Sequence, residues 1–197
     1  MIGLTAGPGE ALVLPLLATM ILWINLVTDG FPALALGVDP ADPRLMARPP
    51  REPRSSVITR RMWIGIGVAA VVMAVGTLLV LDASLPGGMI DGTGEVRYGQ
   101  TMAFNVLVVY QLVAALCVRS DEVSTFVRPF DNAWLWASLA AGLALQCAVL
   151  YLPALQSGFG TVALSARDWL VCAAVALSVL VARELSKAAF RASDRRA

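Results

Sequence analysis

Apolar residues fall in five long blocks, and most polar ones gather between them. The blocks cover roughly residues 11–37, 62–81, 101–118, 133–152 and 169–186. Each comes close to the roughly 20 mostly apolar residues that a helix needs to cross a bilayer. The pattern predicts an all-α fold, a polytopic transmembrane bundle with five spanning helices, preceded by an exterior segment at residues 1–10. The intervening stretch DASLPGGMIDGTGEVRYGQ (82–100) is Gly-rich and polar, a natural exterior turn. Residues 38–61 are rich in Pro and Arg, which keeps them extended. That strip reads either as a solvated linker beside lipid phosphates or as a docking strip for a cytoplasmic domain.

Composition agrees with the pattern. The 197 residues are 58% hydrophobic and 15% charged, whereas a soluble domain is about half apolar and about a quarter charged. A net charge of +1 makes no case for nucleic acid. The placement of charge is more informative. Thirteen of the fifteen Lys and Arg residues lie in 38–61, in 119–132 and in the tail from 183, and only Arg97 and Arg167 fall on the other side. The positive-inside rule then sets the N-terminus outside and the C-terminus in the cytoplasm, and the expected location is the plasma (inner) membrane. Residues 1–10, MIGLTAGPGE, carry no basic residue and no charged signal-peptide start. An exterior N-terminus is easier to explain with a preceding helix, so the chain reads like the back half of something larger.

Most polar residues inside the blocks have a packing explanation. Cys117, Cys147 and Cys172 sit in apolar runs, with no CxxC and no His in the chain, and read as small hydrophobes. In the second block Gly65, Ala69 and Met73 share a face and Gly67 precedes Val71 on another, a spacing that permits close helix packing. In the third block Asn105 and Gln111 are six apart and lie on neighbouring faces. Membrane amides of this kind, and the isolated Gln146, read as interhelical links worth about 1 kcal/mol each. Arg183 and Glu184 end the fifth block, where they are expected to snorkel while the basic tail faces headgroups.

The first block is different. Asn25, Thr28 and Asp29 stand at i, i+3 and i+4, which places them on one helical face. They offer an amide carbonyl, a hydroxyl and a carboxylate, hard oxygen donors suited to Ca²⁺, Mg²⁺, Mn²⁺ or alkali cations. An Asp at mid-span costs at least about 2.5 kcal/mol, and a bound cation offsets that cost. Pro32 removes the helical partner of the Thr28 carbonyl, and Gly30 eases local unwinding. Freed carbonyls at membrane depth belong where they line a cavity or an ion site. No basic residue lies within a span core to pair with Asp29. Calcium takes about six to eight oxygens. Asn105 and Gln111 add one or two, and the remainder must come from helices outside this sequence.

The stretch WINLVTDGFPALALGVDPADPRLMARPPR (23–51) strongly resembles the sixth transmembrane helix and following loop of calcium-type P-type ATPases. TMAFNVLVVYQLVAAL (101–116) resembles their eighth helix, and LYLPALQSGFGTVALSARDWL (150–170) their ninth-to-tenth connection. The resemblance implies that residues 11–197 form the C-terminal cation-transporting domain, helices six to ten. By it, Asn25 and Asp29 match ligands of the calcium site shared across the group. Thr28 matches a ligand of a second site found in two-site pumps. Gln111 stands where those pumps carry Glu; an amide lacks that charge, so one cation per cycle is expected. The implied cargo is Ca²⁺ or a similar divalent cation. The implied partners are the remaining pump domains, helices one to five and the lipid bilayer. ATP and Mg²⁺ enter only through domains missing here, because neither DKTG nor a Gly-rich phosphate loop occurs. The chain alone is not expected to be catalytic. A reading from another class is a non-catalytic membrane scaffold or a decayed pump remnant.

Overall fold

The computed structural model describes residues 14–40, 56, 58–85, 95–119, 125–126 and 130–194. In chain order these form α1 (Ala18–Trp23), a π-helical segment (Ile24–Asp29), α2 (Gly30–Gly37), α3 (Arg60–Ser84), α4 (Val96–Val118), α5 (Ala133–Tyr151), α6 (Pro153–Phe159) and α7 (Ala166–Asp194). No strand occurs among the described residues. Five helical stretches are long and apolar enough to cross a membrane: Ala18–Gly37, α3, α4, α5 and most of α7. The fold is therefore an all-α bundle with five candidate spans. Residues 1–10 and most of the Pro/Arg-rich strip lie outside the described residues.

The helices outrun the hydropathy blocks because their ends carry their own chemistry. Thr59 caps α3, its hydroxyl accepting from the Met62 N–H at 3.2 Å. Ser165 and Asp168 close the start of α7 reciprocally. The Asp168 carboxylate accepts from the Ser165 N–H at 2.8 Å, and the Ser165 hydroxyl accepts from the Asp168 N–H at 3.3 Å. Hydropathy marks only the lipid-immersed middle of each span. The stretch between α5 and α7 holds a short helix that periodicity did not single out. Pro153 halts α5 and serves as the first residue of α6, and Gly160 ends α6 at φ 66°.

Helix α4 is the hub. On one side it packs against α3 and α7 around Met102, Val106, Tyr110, Cys172 and Val179. On the other it packs against the π segment, α2 and α5 around Ile24, Phe104, Val108, Leu135 and Val149. Two glycines of α3 permit the close approach. A Cβ at Gly76 would lie 2.1 Å from the Tyr110 hydroxyl, and one at Gly65 would lie 1.6 Å from the Arg183 guanidinium. Gly67 meets nothing within 4 Å. Of the two glycines picked out by spacing, only Gly65 lies against another helix.

Polar clusters tie each end of the bundle. At one end Asn132 caps α5 through Leu135 N–H (2.9 Å) and donates to Ala35 O (2.9 Å) and Asp39 Oδ1 (2.8 Å), while Arg119 pairs with Asp39 at 3.2 Å. Lys187 lies at the same end, only 2% exposed. Its Nζ donates to Cys117 O (3.0 Å), Thr125 Oγ1 (3.1 Å) and Glu184 Oε1 (3.4 Å). The expected snorkelling of Arg183 and Glu184 is thus corrected. Arg183 is buried over Gly65, and Glu184 turns to Lys187 and to the Thr125 N–H. The orphan carbonyls at the end of α4 draw the cation inward. At the other end Arg97 donates to Gly160 O and Thr161 O, and Tyr98 donates to Asp168 Oδ1 at 2.8 Å.

Candidate cation-binding face

The NLVTD run lies within the π segment Ile24–Asp29. A π turn pairs an N–H with the carbonyl five residues back and so holds one extra residue, while the Ile24 N–H at the segment's start still bonds Met20 O and Ile21 O. The expected unwinding is corrected in form: the helix widens without opening. Asp29 and Gly30 keep right-handed helical dihedrals. The physical reason is economy of hydrogen bonds. An extended break at membrane depth strands backbone groups, whereas a π turn keeps them paired while absorbing the irregularity upstream of Pro32.

That widening separates residues that an ideal α-helix would align. Thr28 is buried and turns into the bundle. Its Oγ1 lies 2.7 Å from Ile24 O and also contacts the Gln111 side-chain amide of α4. Asn25 and Asp29 point the other way and are exposed. The Asn25 amide nitrogen donates to Ile21 O at 3.0 Å, so its carbonyl oxygen is the atom left for a ligand. The Asp29 carboxylate has no hydrogen bond or ion pair among the described residues. The four candidate ligands therefore form two pairs: Asn25 with Asp29 on an open face, and Thr28 with Gln111 at a helix–helix contact.

Asn105 joins neither pair. It is fully buried, and its carbonyl oxygen accepts from Gln146 Nε2 of α5 at 3.2 Å. Gln146 in turn accepts from the indole N–H of Trp23 at 3.1 Å. Trp23 immediately precedes the π segment and stacks edge-on with Phe159 of α6, ring centroids 5.1 Å apart. The sequence reading passed over Trp23 and treated Gln146 as isolated. The available signal was an amide in an apolar helix, which when buried must find partners.

No cluster of three or more His, Cys, Asp or Glu side chains able to hold a metal occurs among the described residues. A calcium ion needs about six to eight oxygens, so Asn25 and Asp29 amount to a partial ligand set. One carboxylate and one amide carbonyl suit a hard divalent cation and offer nothing to a soft one.

The family model described as "Cation transporting ATPase, C-terminus" matches residues 13–189. Among similar proteins, a "Calcium-transporting ATPase 1" of Yarrowia lipolytica is 38% identical over 174 residues, covering 88% of this chain and 18% of the relative. A "Calcium-transporting ATPase" of Bacillus subtilis is 38% identical over 162 residues, 82% of this chain and 18% of the relative. The mouse "Calcium-transporting ATPase type 2C member 2" is 37% identical over 174 residues, 88% of this chain and again 18% of the relative. The chain thus spans about a fifth of the length of these relatives. With a match running through all five candidate spans, the chain belongs to the family of C-terminal domains of cation-transporting ATPases.

Proposed function

We propose that this chain is the transmembrane part of an ATP-driven pump for Ca²⁺ or a similar divalent cation, and that Asn25 and Asp29 supply its share of the ion site. The carrying observation is that both side chains sit on a mid-span face which this chain leaves uncovered. A carboxylate turned to lipid costs at least about 2.5 kcal/mol. Helices contributing further oxygens, with a cation between, remove that cost. The names of the relatives support calcium as cargo. The pairing of Thr28 with Gln111 supports a single transported cation, because each already has a partner within this chain. On this reading residues 11–197 are the transport domain and residues 1–10 an exterior segment. The basic end bearing Lys187 faces the cytoplasm of the plasma (inner) membrane, and ATP and Mg²⁺ act in other pump domains.

The test is cation-dependent phosphoenzyme formation from radiolabelled ATP in native membranes. Asp29→Asn should abolish it while the protein still reaches the membrane. Gln111→Ala should have a much smaller effect. Unchanged cation dependence in the Asp29 variant would sink the ligand assignment.

A further inference from the structure

We infer that Gln146 of α5 is a positioning residue for the cation site. It holds Trp23 and so fixes where the π turn begins, which decides how Asn25 and Asp29 face. The inference rests on the reading of Asn25 and Asp29 as cation ligands.

Gln146 is completely buried, and both ends of its amide are committed. Its oxygen takes the Trp23 indole N–H at 3.1 Å, and its nitrogen donates to Asn105 Oδ1 at 3.2 Å. The amide nitrogen of Asn105, also completely buried, has no oxygen acceptor among the described residues. Gln146 is the amide that holds Asn105 Oδ1. An aliphatic side chain of similar volume would fill the site without desolvating an amide. The distinctive contribution of the amide is direction.

That direction falls on the one position where it matters for the site. Trp23 is the last residue before the π segment and its N-terminal boundary. A π turn holds one extra residue, and moving it past a side chain rotates that side chain by about 100° around the helix. A rotation of that size would turn Asn25 or Asp29 off the open face, or bring Thr28 out of its contact with Gln111. Trp23 is gripped on two sides, by the Gln146 hydrogen bond and by the edge of Phe159. The hydrogen bond joins residues 123 apart in sequence, so it sets the register of the ligand helix against α5 and not merely within itself.

The experiment compares Gln146→Met, which keeps volume and loses both hydrogen bonds, with Trp23→Phe and the double variant, in the assembled pump in native membranes. The readout is the Ca²⁺ concentration giving half-maximal phosphoenzyme, alongside the maximum at saturating Ca²⁺. Each single variant should raise the half-maximal concentration roughly three- to fifteen-fold, the range of interhelical hydrogen bonds in membranes, with the maximum preserved. The double variant should be no worse than the more affected single one. A fall in the maximum with unchanged half-saturation would reduce Gln146 to a structural role and overturn the inference, as would fully additive effects. Asp29→Asn is the control for the underlying reading. If it abolishes the calcium response while Gln146→Met leaves half-saturation untouched, only the positioning role fails.

Discussion

Gly76→Ala tests whether α3 seats on α4 through one close contact. The added methyl would lie 2.1 Å from the Tyr110 hydroxyl and 2.9 Å from its Cζ. Tyr110 is fully buried, and its hydroxyl shares a 2.8 Å hydrogen bond with Ser178 of α7. The ring cannot retreat without loosening the α3–α4–α7 junction. Overpacking of this kind costs about 1–3 kcal/mol. Losing the Tyr110–Ser178 bond adds about 0.6 kcal/mol, the average for interhelical bonds in membranes. The better helix propensity of Ala returns about 1 kcal/mol. The net expectation is destabilisation by roughly 0.6–2.6 kcal/mol. Gly67→Ala, on the same helix with open space around it, collects only the propensity term and should be neutral or slightly stabilising. Thermal unfolding of the detergent-purified protein measures both. Adding Tyr110→Phe to Gly76→Ala removes the nearest clashing atom and should recover part of the loss. Equal Tm values for the two glycine variants, or no relief from Tyr110→Phe, would refute the seating argument.

The polar ends of the bundle give two further expectations. Lys187→Met strips three acceptors of their donor, including the Cys117 carbonyl near the end of α4, and should cost about 2–3 kcal/mol; an unchanged Tm would mean that the buried ammonium contributes nothing net. Asp168→Ala removes the acceptor for the Ser165 N–H and for the Tyr98 hydroxyl and should cost about 2–3 kcal/mol, visible as faster amide hydrogen exchange in the first turn of α7. Exchange unaltered there would dismiss the capping role.

Five spans were legible because lipid imposes one simple rule, about 20 apolar residues per crossing, and α3, α4, α5 and α7 obey it closely. Their true ends were not legible, since caps such as Thr59 and Ser165 are polar and fall outside a hydropathy block. α6 was missed because its seven residues are too few to carry a period. The oxygen-donor types of Asn25, Thr28 and Asp29 were readable from the sequence alone, but their directions were not. Alignment at i, i+3 and i+4 presumes an α-helix, and the π segment inserts a residue among them. The partners of Gln146 were invisible for a different reason. Trp23 and Asn105 lie 123 and 41 residues away, and nothing local encodes such contacts.

The division of polar groups inside the bundle carries the functional argument further than any one residue. Thr28, Gln111, Asn105, Gln146, Trp23, Tyr110 and Ser178 all find partners within the chain. Lys187 and Glu184 do so as charged groups. A membrane domain that gives nine such side chains at least one internal partner has the means to pair Asp29 as well, for instance from a neighbouring helix of the same bundle. Asp29 instead lies exposed, as does Asn25 one turn before it, on a π segment whose preceding residue, Trp23, is hydrogen-bonded to Gln146. Structural glue would face inward like the others. An acid held outward at mid-span, on a helix whose irregular turn is anchored from behind, is placed to meet something that approaches from outside this chain. On the proposed function, a hard divalent cation shared with further helices would balance a carboxylate and an amide oxygen there.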